Sequence, residues 1–231
     1  NKNIGHILGD IIWPAFQMIH SVDEADARNE FHFVMGMKDT SNRADHKFII
    51  QYIESFTRLK TFTLQREQFC FNNVYAGSNL LGYATGRTNP SVFSAFKKYL
   101  FRQNGFNEAT PVSARAEPSI LFIGKTPHGG AHKSWIVNAD RLMSVVKKTF
   151  PKCLFRSVVL DRIKLRDQIQ IMLDSDIVIS LPGASVMNAI FLPPLSTIVV
   201  PCRSIAGRIE YSHEIRLWLD VDPTLRIVEM C

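Results

Sequence analysis

Apolar and polar positions follow two periods along this chain, and the changes of period mark its elements. Residues 177–181 read Ile-Val-Ile-Ser-Leu, an apolar run with one serine, as expected of a strand covered on both faces. Pro182-Gly183 breaks the run. Residues 184–191 are helical in composition, Pro193-Pro194 ends that helix, and residues 197–200 form a β-branched segment that reads as the next buried strand. A glycine turn between a buried strand and a helix start presents backbone N–H groups at the carboxyl edge of a sheet. Such a turn suits an anion, most often a phosphate.

The same reading extends along the chain. Ile4, Ile7, Leu8, Ile11, Ile12, Ala15, Phe16 and Ile19 recur at helical spacing, with Pro14 expected to kink that helix. Residues 31–37 predict a strand, 47–59 a helix, and 61–64 and 68–74 short strands. Residues 77–90 read as a loop, and 91–103 as a helix capped by Ser91 with Phe93, Phe96, Tyr99 and Leu100 inward. Residues 104–118, rich in Asn, Pro, Ser, Ala and Glu, read as the linker between two domains, 1–110 and 111–231. Beyond it come a strand at 119–123, a loop to Lys133, and a helix at 138–150 with Leu142, Val145, Val146 and Phe150 inward. A strand at 154–160, a helix at 165–174, the segment already described, and a last strand at 225–230 follow. Strands alternating with helices of about a dozen residues indicate an α/β fold with a parallel sheet.

Composition adds bounds. The 231 residues are 46% hydrophobic and 21% charged, enough for a real core. No apolar run reaches the roughly 18 residues that span a bilayer, so no membrane anchor is visible. The chain begins with Asn1, and its start is expected to have been trimmed. A net charge of +6 suits anionic partners such as a nucleotide diphosphate. The densest basic groups, Lys97-Lys98 with Arg102 and Lys147-Lys148 with Lys152, read as solvated helix faces, and nucleic acid is not expected as a partner. The spacing of Cys70, Cys153, Cys202 and Cys231 argues against zinc, and Cys70 and Cys153 read as buried thiols. The chain has no Asn-x-Ser/Thr glycosylation acceptor, since the proline of Asn89-Pro90-Ser91 excludes that match.

An ordered set of motifs resembles glycosyltransferase family 61. It comprises Asn3-x-x-His6-x-Leu8-x-Asp10-x-x-x-Pro14, Phe69-Cys70-Phe71 with Gly77, Leu121-Phe-Ile-Gly-Lys125, Asn138, Arg166-Asp-Gln-Ile-Gln170, Ser175-Asp-Ile-Val-Ile179, Gly183-Ala184, Asn188 and Phe191-Leu-Pro-Pro194. The resemblance implies a GT-B type α/β architecture, two Rossmann-like domains facing a cleft. The N-terminal one would lie on the acceptor side and the C-terminal one would hold a nucleotide sugar. It implies an enzyme, an inverting glycosyltransferase without metal or other cofactor. Such an enzyme moves a sugar from a nucleotide-diphosphate donor, expected to be UDP-linked, to a hydroxyl of a glycan or glycoprotein acceptor. By the same resemblance its setting is the lumen of the secretory pathway (Golgi or ER), or the cytoplasm for a bacterial or viral member.

That chemistry needs a base for the acceptor proton and positive charge for the leaving diphosphate. The resemblance assigns the base to Asp10, with His6 one turn earlier orienting it or touching the acceptor. Read alone, both are solvated residues near a helix start. Lys125 and Lys133 are the candidate diphosphate cations, or else solvated loop residues. Gly183, Ala184 and Ser185 supply the turn, and Asn188 either contacts phosphate or base, or holds the turn. Gln168 and Asp167 read as structural. Gly124-Lys125 stands where the family usually has Ser-Arg, and two departures matter more: Pro182 stands where it usually has histidine, and Val200 where it has glutamate. They carry the alternative, a non-catalytic nucleotide-sugar or glycan-binding module of the same fold.

Overall fold

The apolar run of residues 177–180 lies at the middle of a sheet, and its neighbours in space follow from its neighbours in sequence. The computed structural model describes residues 8, 12–14, 16–17, 33–36, 50, 53–54, 61–64, 90–106, 117–124, 138–160, 163–205, 208–210 and 222–230. Their elements are strands β1 (Phe33–Gly36) and β2 (Thr61–Leu64), helix α1 (Pro90–Gln103), strand β3 (Ser119–Ile123), helix α2 (Ala139–Thr149) and strand β4 (Leu154–Val158). Helix α3 (Leu165–Leu173), strand β5 (Ile177–Ser180), a 3-10 helix (Ala184–Phe191) and strands β6 (Thr197–Pro201), β7 (Arg203–Ile205), β8 (Arg208–Glu210) and β9 (Arg226–Met230) complete them.

Five strands form a parallel sheet in the order β4-β3-β5-β6-β9. The first of them in the chain, β3, therefore sits second. The chain moves outward to β4, then returns past β3 to build β5, β6 and β9 on the other side. Parallel neighbours need a crossover, and helices of the expected length supply the first two. β1 and β2 pair in parallel as a separate sheet, and β7 and β8 form an antiparallel pair that the sequence reading did not anticipate. The expected domain boundary at residue 110 and the expected strand at 68–74 lie outside the described residues.

Side-chain alternation along the strands divides the core between two faces. Leu121, Ile123, Val178, Ile198 and Val200 point to the face shared with α1, α3 and the 3-10 helix. Ile120, Phe122 and Ile179 point to the other, where α2 lies. The second cluster is small, and α2 meets it with a single stripe, Ala139, Leu142, Met143 and Val146, at helical spacing. Val145 falls beside that stripe and Phe150 lies past the helix end, so both are about half exposed, at 54% and 53%. The expectation that they point inward is corrected on that ground. Cys153 also packs on this cluster and is a free, half-buried thiol rather than a fully buried one. Cys202, just beyond β6, is disulfide-bonded.

Helix α1 starts at Pro90, whose fixed φ and missing N–H suit a first helical position. Ser91 is thus inside the helix, not its cap. Its far end stops in a Schellman arrangement: Gly105 N–H donates to Arg102 O at 3.1 Å and Phe106 N–H to Phe101 O at 2.9 Å. Gly105 supplies the left-handed residue, φ 74°. The first residues of the expected linker are therefore the helix stop. The buried face of α1 carries Phe93, Phe96, Leu100 and Phe101. Phe93 and Phe96 meet the ring of Trp13, and Phe101 meets Phe191 edge-on at 6.1 Å. Leu8 and Ile12 lie in a wider, π-type turn and Trp13, Pro14, Phe16 and Gln17 in α-helical geometry.

Lys97 departs from the solvated face expected of its basic group. Its Nζ donates to Leu192 O at 2.8 Å and to an Asp222 carboxylate oxygen at 3.1 Å. Burial, outweighing the Asp222 carboxylate, lowers the lysine pKa from its usual 10.5. The other Asp222 oxygen accepts from Thr224 N–H and Oγ1. This pair joins α1, the end of the 3-10 helix and the turn before β9.

Candidate functional site

The candidate site follows from the strand order. Because the chain turns outward from β3 in one direction and comes back in the other, the helices after β3 and β5 lie on opposite faces. The carboxyl ends of these two adjacent strands therefore border a crevice, the usual ligand position in an open α/β sheet. Register aligns the two rims: Ile123, the last residue of β3, pairs with Ser180, the last of β5. Gly124 and the Leu181-Pro182-Gly183 turn follow directly. At the opposite edge the Asp176 carboxylate accepts the Ser119 N–H, and Asp176 N–H donates to Ser119 O at 3.0 Å. That exchange ties the starts of β3 and β5 and holds the register that sets their ends.

On the β3 rim, Gly124 N–H continues the ladder to Val158 O at 2.8 Å. A Cβ there would meet its nearest neighbours at 3.7 Å, ordinary contact, so space alone does not demand glycine. Gly183 on the β5 rim differs. Its φ of 120° and ψ of −162° fall where essentially only glycine rests. Gly183→Ala is expected to cost about 1–3 kcal/mol of stability through backbone strain alone, read as a lowered midpoint in urea with an unchanged slope.

Gly183 caps the 3-10 helix, and Val186 N–H makes the helix's first bond, to Gly183 O at 2.9 Å. The N–H groups of Ala184 and Ser185 precede that bond and sit at the positive end of the helix, as an anion cradle requires. The side chains below the turn form a small network. Ser185 Oγ donates to Leu181 O at 3.1 Å, and Ser180 Oγ reaches Ser185 Oγ at 2.9 Å and Leu181 O at 3.3 Å. Asn188 is 1% exposed, its Nδ2 donates to Ser185 O at 3.3 Å, and its Oδ1 is buried without a partner. It braces the turn from beneath.

Among the expected site residues, Gly183, Ala184, Ser185 and Asn188 come together on one turn. Asp10, His6, Lys125 and Lys133 lie outside the described residues. The two departures sit in distinct surroundings: Pro182 is buried in the turn, and Val200 is fully buried with Ile198 on the larger core face. Val200 is thus a packing residue. Gln168 is structural, its Nε2 donating to Leu160 O and Ile163 O at 2.9 and 2.8 Å. Ser180 was not singled out by sequence reasoning. The available signal was two serines bracketing Leu-Pro-Gly-Ala, five positions apart.

Among known proteins, the family model described as Glycosyltransferase 61 matches residues 5–199, most of the chain. A search of curated proteins finds no match.

Proposed function

Because the chain belongs to the glycosyltransferase 61 family, which supports a glycosyl-transferring enzyme in general terms, we propose a more specific reading. The protein is an inverting transferase that moves a sugar from a UDP-linked donor to a hydroxyl of a glycan or protein acceptor, without a metal. The observation that carries the reading is the reversal of strand order at β3 and β5, whose aligned carboxyl ends lead into Gly124 and the Gly183 turn.

In this reading the donor diphosphate rests on the N–H groups of Ala184 and Ser185, with Lys125 and Lys133 neutralising it. Asp10 removes the acceptor proton as the hydroxyl oxygen attacks the anomeric carbon, and His6 orients that carboxylate. The bond from the anomeric carbon to the diphosphate oxygen breaks on the opposite side, so configuration inverts. The leaving group's charge falls on the cradle, where fixed N–H dipoles need no reorganisation. The first motif would face the sheet across a GT-B cleft, with residues 1–110 as acceptor domain and 111–231 as donor domain. The disulfide at Cys202 supports an oxidising compartment such as the secretory lumen.

A second reading, a module that binds nucleotide sugar without turnover, is favoured by Pro182 and by Val200 in the apolar core. One experiment addresses both. UDP and UDP-sugars are expected to raise the melting temperature, by mass action on the native state, equally with and without a chelator. A flat response to every nucleoside diphosphate would remove both readings. Stabilisation without release of free UDP, with a broad set of glycan acceptors present, would leave the second.

A further inference from the structure

We propose that Ser180 is a positioning residue that frees the Ser185 hydroxyl to bind the donor diphosphate; this rests on the donor-site reading above. Ser185 Oγ is half-buried at the turn and spends its one proton on Leu181 O, 3.1 Å away. In that state it offers a ligand no hydrogen. Turning the proton outward would strand a buried carbonyl, a cost comparable with the bond gained. Ser180 removes that cost. It is 1% exposed, and its single proton has two acceptors within reach, Ser185 Oγ at 2.9 Å and Leu181 O at 3.3 Å.

Two arrangements of the same three groups are therefore complete. In the first, Ser180 donates to Ser185 Oγ and Ser185 donates to Leu181 O. In the second, Ser180 donates to Leu181 O and Ser185 donates to a phosphate oxygen. The exchange needs two hydroxyl rotations and no backbone movement. Asn188 keeps the Ser185 backbone still meanwhile, through the hydrogen bond that its Nδ2 donates to Ser185 O. Ser180 lies on the last residue of β5, beneath the turn, and acts only through Ser185 and Leu181.

A double-mutant cycle on UDP affinity tests the arrangement, with Ser180→Ala, Ser185→Ala and both, each folded variant checked by its melting temperature. Ser185→Ala is expected to weaken UDP binding about threefold to tenfold, the range of one net hydrogen bond. Ser180→Ala should weaken it by a similar factor, and Ser180→Thr, which keeps the hydroxyl, should retain it. In the Ser185→Ala background, Ser180→Ala should have no further effect on affinity, because no proton remains to be released. A Ser180→Ala loss equal in both backgrounds would show a merely structural role and overturn the inference, as would no loss at all. If wild-type protein fails to bind UDP, the donor-site reading falls and takes this one with it.

Discussion

Asp10→Asn is expected to slow sugar transfer by about a hundredfold to ten-thousandfold, the range for removing a positioned general base, while UDP affinity stays unchanged. Asparagine has nearly the shape of aspartate but cannot take the acceptor proton. The acceptor hydroxyl would then attack without losing its proton to the protein, and the barrier would rise by about 3–5 kcal/mol. On the proposed mechanism His6→Ala should cost less, since it would remove an orienting group and leave the proposed base in place. The measurement is single-turnover transfer under saturating donor, alongside UDP binding by calorimetry. Equal transfer rates in wild type and Asp10→Asn would exclude Asp10 as the base.

Asp222→Asn is expected to cost roughly 3–4 kcal/mol of stability near neutral pH. Lys97 is held between Leu192 O and Asp222, and burial already pulls its pKa down. Without the carboxylate it faces burial with one carbonyl for company. It can shed its proton, and that escape limits the cost: neutralising a lysine of ordinary pKa near pH 7.5 takes about 4 kcal/mol. The sign with pH follows. The folded pKa lies below the unfolded one, so the unfolded chain binds more protons between them. Stability therefore rises with pH toward the unfolded value, and the penalty of Asp222→Asn should shrink between neutral pH and about pH 10. Lys97→Met should cost less, because Asp222 keeps its bonds from Thr224. Denaturant melts of both variants at several pH values read these differences. A penalty that does not change with pH would mean that Lys97 is not charged in the native protein.

How much of this was legible in the sequence depended on whether a feature is local. The β5 strand, the Pro182-Gly183 turn, the helix at 184–191 and β6 appear where the periodicity puts them, since each is encoded by its own residues. So do β3, α2, α3 and β9 to within a few residues. Readings that depended on what an element packs against fared less well. The inward face of α2 was overdrawn, because the Ile120, Phe122 and Ile179 cluster is narrow and accepts one stripe. Lys97 looked like part of a solvated basic face, because its partner is 125 positions away in the chain. The β7–β8 pair is three residues a strand, too short to show a period. At the candidate site, the glycine turn was legible from composition, whereas the Ser180–Ser185 relay was not. A serine on a buried strand carries no mark of where its hydroxyl points.

The central claim is that a nucleotide diphosphate binds at the carboxyl ends of β3 and β5. Amide hydrogen exchange with and without saturating UDP measures this directly, because a phosphate seated on the turn occupies the N–H groups themselves. Slower exchange in peptides covering Gly124 and residues 182–187, with α2 and β9 unchanged, is the predicted result. Saturable UDP binding with unaltered exchange across 182–187 would contradict it.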